Sequence, residues 1–157
     1  MIIRKQRGIS IIETLVALVI ISVGMIGIAG LYLSSLQASR SAKLRAQAVQ
    51  LAGSIADRIR ANRDAGAAYD TSKVTPAAKS CDTANCSAAN LASDDLFRWT
   101  TDLQAALPGG TAATGSVIVL DRARPLSDNY LITVTWREAQ SDIDYSYVLS
   151  MNLANRL

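Results

Sequence analysis

Residues 9–37 read ISIIETLVALVIISVGMIGIAGLYLSSLQ, and this stretch decides the architecture. From Ile9 to Leu36 the only charged side chain is Glu13. A helix over residues 9–36 is about 42 Å long, against about 30 Å of bilayer hydrocarbon. It is long enough to cross a membrane and protrude by a turn or two. A secretory signal has a shorter apolar core of roughly 7–15 residues, closed by a small-residue cleavage site. No such site follows here, so the stretch reads as a single-pass signal anchor.

The flanks carry the charge. Arg4, Lys5 and Arg7 precede the apolar run, and Arg40, Lys43 and Arg45 follow it, so a positive-inside count is nearly tied. The three leader residues also account for the whole net charge of +3, since the rest of the chain is balanced. The basic pI therefore says little about nucleic acid. The cysteines help with orientation. Cys81 and Cys86, in CDTANC, sit in a polar loop and are too widely spaced for a CxxC redox pair. A disulfide between them would imply an oxidising compartment for the C-terminal part, the alternative being two unpaired surface thiols. With no histidine and only two cysteines, Ser-His-Asp triads, Cys-His pairs, histidine zinc sites and four-cysteine zinc sites are all excluded.

Glu13 is the unusual residue of the span. A carboxylate in an apolar segment is costly and points to a functional partner, yet one turn into the run it can also snorkel to the interface. Its context resolves the choice. A basic leader ending in Gly8, the apolar Ile9, Glu13 four residues later and an uninterrupted apolar helix resemble the N-terminus of type IV pilins and pseudopilins. That resemblance implies that a prepilin peptidase cuts between Gly8 and Ile9 and N-methylates Ile9. It also implies that Glu13, then the fifth residue, pairs with the terminal amine of a neighbouring subunit during assembly. Many major pilins carry a proline near the twenty-second mature position; here Gly30 stands there, after Gly24 and Gly27. These glycines either loosen the helix or give it a smooth packing face.

Beyond Gln37 the helical period continues to about Asp64, with Leu44, Ala48, Leu51, Ile55 and Ile59 on one apolar stripe. The simplest reading is one helix from near Ile9 to near Asp64. Between Arg40 and Arg63 lie six basic residues and one acid, Asp57; from Asp64 onward there are seven basic and eleven acidic residues. Such a basic run is a solvated face, a subunit contact or, least of all, a DNA contact. At the helix end, ADRIRANR (residues 56–63) resembles the minor pilin family PilV, the type IV pilus modification proteins, as does the wording of the span.

Residues 65–93 read as a surface loop around Pro76 and the cysteines. Ser93 is the expected N-cap of a helix over Asp94–Leu107, whose apolar face is Leu96, Trp99, Leu103 and Leu107, ended by Pro108-Gly109-Gly110. Strands are expected at Ser116–Leu120, at Tyr130–Arg137 and at Tyr145–Asn152, the last two alternating with period two. The linkers suit an antiparallel meander, which leaves a strand edge open.

The expected fold is thus α+β. A ladle-like long helix, transmembrane in its first half, packs on a small three-stranded antiparallel sheet with a second short helix. The expected divisions are a cleaved leader at 1–8, a membrane and filament-core helix at 9–36, its amphipathic continuation at 37–64 and a periplasmic head at 65–157. The resemblance implies a minor type IV pilin of the inner membrane that joins other minor pilins and the major pilin, through the membrane assembly platform, to prime a pilus and sit at its tip. A minor pseudopilin of type II secretion shares every physical feature, and an adhesive tip module is the more distant alternative. No enzyme activity is expected, because no nucleophile has a paired base; no cofactor or metal is expected without histidine, and no nucleic-acid partner with a net negative head.

Overall fold

The computed structural model describes residues 10–124, 127–138 and 141–154. The expected processing site at Gly8 and Ile9 lies outside them. Helix α1 runs Ile11–Ala61, followed by a 3-10 segment at Arg63–Tyr69. Helix α2 spans Ala88–Ala106; a short 3-10 turn then leads to β1 (Thr114–Arg124), β2 (Ser127–Arg137) and β3 (Asp144–Ala154). By contacts the chain forms two units, one ending at Ser41 and one beginning at Ala42.

In the first unit α1 is apolar all round. Ile11, Leu18, Ile26 and Leu31 are 61–80% exposed. Isoleucine and valine are indifferent helix formers in water, but in hydrocarbon the helix satisfies every backbone polar group internally. The few hydroxyls follow the same rule: Thr14 Oγ1 donates to the Ile11 carbonyl and Ser22 Oγ to the Leu18 carbonyl, each at 2.7 Å. This is the one described helix long and apolar enough to cross a membrane. It continues through Gly24, Gly27 and Gly30 without a break.

The second unit holds the core. Here α1 buries Leu44, Ala48, Ala52, Ile55, Ala56 and Ile59. Three of the six are alanines, which let other elements approach the helix backbone closely. From α2 come Ala92, Leu96, Trp99 and Leu103, and from the sheet Val117, Tyr130, Ile132, Val134, Trp136, Met151 and Leu153. Trp99 is fully buried, and its indole N–H donates to the Leu51 carbonyl at 2.9 Å, tying α2 to α1.

The sheet is an antiparallel meander in the order β1-β2-β3. Val117 pairs with Ile132 and Ile132 with Leu149, so period-two side chains from all three strands share the inner face. Gly115 of β1 marks the closest approach of α2: a Cβ there would lie within 2.6 Å of the Trp99 ring and collide with Leu103.

Three sequence expectations shift. Helix α1 stops at Ala61 rather than near Asp64, and Gly66 takes the left-handed φ of +50° that the following turn requires. Helix α2 starts six residues before the expected Asp94, because Ser87, not Ser93, is its N-cap and accepts from the Asn90 amide at 3.3 Å. The strands are longer than their apolar runs, since backbone pairing continues past Leu120 through an irregularity to Arg124–Ser127. Pairing of this kind needs no hydrophobic side chain.

Candidate functional site

Glu13 lies in the first turn of α1, where the helix dipole favours a carboxylate. Its amide donates to the Ser10 carbonyl at 3.0 Å, whereas its side chain makes no hydrogen bond or ion pair among the described residues. It is thus an exposed charge, unpaired among the described residues, on a stretch of α1 with no other charged side chain before Arg40.

A second group of polar residues closes the end of α1. Arg58 Nη1 donates to Asp95 Oδ1 at 3.2 Å, and Tyr69 Oη donates to Asp95 Oδ2 at 2.7 Å. Asn62 Nδ2 donates to the Tyr69 hydroxyl at 3.2 Å and to the Ala88 carbonyl at 2.9 Å. The ADRIRANR motif therefore divides by role. Ala56 and Ile59 enter the core, Arg58 and Asn62 pin the helix end to α2, and Asp57 pairs with Arg60 on the surface at 2.6 Å. Burial first, and the neighbouring Asp95 carboxylate second, push the Tyr69 phenol well above its ordinary range, so it stays a neutral donor.

The third group straps the cysteine loop. Cys81 and Cys86 are disulfide-bonded, with Cα atoms 5.6 Å apart. Asp94 is almost wholly buried and accepts the Lys79 amide at 2.6 Å and the Ser80 amide at 3.1 Å; Arg98 Nε donates to its other oxygen at 2.8 Å. The Lys79 amide, with help from Arg98, holds this carboxyl below the usual range against the opposing effect of burial. Arg98 also reaches Asp82 at 3.0 Å, and the Ser93 hydroxyl bonds both the amide and the carbonyl of Ala77. Ser93 and Asp94, expected at a helix start, instead act from within α2 as loop anchors. Sequence reasoning missed this because Ser-Asp-Asp before an apolar run is a common N-terminal pattern. The available signal was Ser87, followed by the alanine-rich residues 88–92.

The edge of β1 is partly covered. The Thr71 amide donates to the Val117 carbonyl at 2.9 Å, and the Val117 amide donates to Thr71 Oγ1 at 3.0 Å. The adjoining turn is held by Asp70. Burial would raise its pKa, but bonds from the Ser72 hydroxyl and amide and from Lys73 bring it below the ordinary value. One buried donor is left over. Among the described residues Trp136 Nε1 has no hydrogen-bond partner, an omission that costs about 1–3 kcal/mol in a protein interior.

Comparison with known proteins bears on all three groups. Residues 3–29 match the prokaryotic N-terminal methylation motif, and residues 30–97 match the model described as type IV pilin Tt1218, of the Tt1218-like family. Over residues 3–97 the chain is thus similar to type IV pilins. The methylation motif includes Gly8, Ile9 and Glu13, and the Tt1218-like match includes Arg58, Asn62 and both cysteines. No curated protein and no solved structure matches the chain. Pilins are a structural class rather than an enzyme class, and the apolar helix with its prepilin motif fits a membrane-anchored pilin.

Proposed function

We propose that this pilin is a minor subunit, resembling the PilV family, that takes part in priming and assembling a type IV pilus. Prepilin peptidase cuts between Gly8 and Ile9 and methylates Ile9. The processed chain sits in the inner membrane with its head in the periplasm. It then joins other minor pilins and the major pilin, through the assembly platform, in a complex at the filament tip.

The observation that carries this reading is the unpaired carboxylate of Glu13 on a helix with no other charge from residue 11 to 36. A charge left alone in a low-dielectric interior is strongly unfavourable, while one matched by an opposite charge is tolerated. Cleavage before Ile9 creates the matching group, an N-terminal ammonium, on every neighbouring subunit. Two subunits in register then satisfy each other. The ADRIRANR motif supports the minor-pilin assignment.

The test is a clean deletion strain scored for surface pili and for exported-enzyme activity from the same culture. Loss of pili with normal secretion is expected. Normal pili with blocked secretion would instead make the chain a minor pseudopilin of a type II system. If neither changed, assembly would not depend on this subunit and the priming reading would fall.

A further inference from the structure

The two edges of the sheet differ. Thr71 closes the outer edge of β1 with its two bonds to Val117. Those bonds also fix the phase of the whole sheet. The Val117 amide and carbonyl point away from β2, so its partner Ile132 points its own toward β3, and Leu149, opposite Ile132, returns them. The alternate residues Ser146, Val148, Ser150 and Asn152 therefore aim their backbone amides and carbonyls at the outer edge of β3. Among the described residues nothing bonds to those groups. The edge is 11 residues long, against about 5–6 in a usual strand, and its register with β2 is unbroken. From Tyr145 to Ala154 it carries no charge, proline or glycine. Natural sheets blunt an open edge with a charge, a proline, a bulge or a cover, and along this length the described residues supply none of them.

The core beside this edge is also unfinished. In the inward row of β3, Met151 and Leu153 are buried, but Tyr145, Tyr147 and Leu149 are only half-buried. A cavity of about 240 Å³ adjoins the first of these, lined by Tyr145, Ser146 and Tyr147 with Trp136 of β2 and with Arg45 and Val49 of α1. Small-molecule sites usually occupy about 300–1,000 Å³, so this one fits a single side chain. A row of free backbone groups is answered by another strand, and a pocket along the row selects the side chain that strand carries. Two copies of this chain could share the edge only about a two-fold axis, whereas a filament is built from head-to-tail contacts. We propose that the edge of β3 receives an uncharged, extended strand of a different pilin. Its backbone bonds to Ser146, Val148 and Ser150, and one of its apolar side chains enters the cavity beside Tyr147. The inference rests on the reading of the chain as an assembly subunit and names one contact through which it assembles.

The test begins with the full-length chain in detergent micelles. There the Val148 and Ser150 amides should exchange with deuterated water far faster than the Leu149 amide; slow exchange at both would show the edge already closed and overturn the proposal. In cells, the double variant Val148→Pro, Ser150→Pro removes two edge donors and no bond to β2. It should lower pilus yield about tenfold or more while the subunit keeps its normal level in the membrane. Full yield at that level would overturn the proposal. Where the level falls too, a second variant with an intact backbone decides, carrying p-benzoylphenylalanine in place of the exposed Val148. Irradiation of piliated cells should join it to a different pilin, at a peptide of alternating apolar residues without charge. No adduct, an adduct with a second copy of this chain, or one at a charged segment would overturn the proposal. If the deletion abolishes pili and the proline variant restores them fully, the edge is not a contact and the assembly reading still stands. A deletion without effect on pili removes the assembly reading itself.

Discussion

The Glu13 carboxylate and the buried aspartates Asp70 and Asp94 behave in opposite ways. Asp70 and Asp94 have their partners within the chain, whereas Glu13 has none among the described residues. Glu13→Gln keeps the size and removes the charge, so membrane insertion and leader removal should be unchanged while incorporation into pili falls steeply. Comparing the variant in membrane and sheared-pilus fractions checks this; equal incorporation would mean the charge is not used. For the aspartates the sign follows from linkage. Folding lowers the pKa of Asp70, Asp94 and Asp144, so their contribution is fully present above the unfolded carboxylate value and is lost as pH falls below about 4. Tyr69 is shifted upward, so its contribution is present below the ordinary phenol value and is lost in strong alkali. Urea midpoints measured from pH 7 down to pH 2 should be level at first and then drop below about pH 4. A midpoint that rises on acidification would contradict the bonding described for Asp70 and Asp94.

Among the elements, α2 lies against β1 so closely at Gly115 that there is no room for a Cβ. Gly115→Ala places a methyl against Trp99 and Leu103 and should destabilise the head by about 1–3 kcal/mol, read as a lower urea midpoint with an unchanged slope. A neutral effect would mean that the helix can retreat from the strand. Element identity was legible wherever periodicity spoke. The stripe from Leu44 to Ile59 is buried on α1, apart from the half-buried Leu51, and Tyr130, Ile132, Val134 and Trp136 face inward as their alternation implies. Element boundaries were not legible, because they are set by local bonds that apolar patterns do not record. The hydroxyl of Ser87 starts α2, while the Ser93 hydroxyl is spent on Ala77 and the Asp94 carboxylate on Lys79 and Ser80. The polar pins Arg58, Tyr69 and Asp95 were equally hidden, since contact between residues 58 and 95 is a property of the fold. Glu13 was legible from sequence because a lone charge in an apolar run needs no tertiary information to stand out.

For the molecule as a whole, the disulfide closes a loop of sequence separation 5, so in the chain-entropy description it adds about 2 kcal/mol. The Cys81→Ser, Cys86→Ser double variant should therefore unfold several degrees lower but remain folded, since Asp94, Arg98 and Ser93 hold the same loop without it. A variant that fails to fold would show that the strap forms only after the bond. The alanines of α1 bear on how the chain is made. Synthesis delivers residues 44–59 long before α2 and the strands that complete the same core. A stripe half built of alanine shows the translocation machinery, and any sticky neighbour, much less grease than one of leucine would. The same economy that lets other elements come close in the finished head keeps the nascent chain out of trouble while it waits for them.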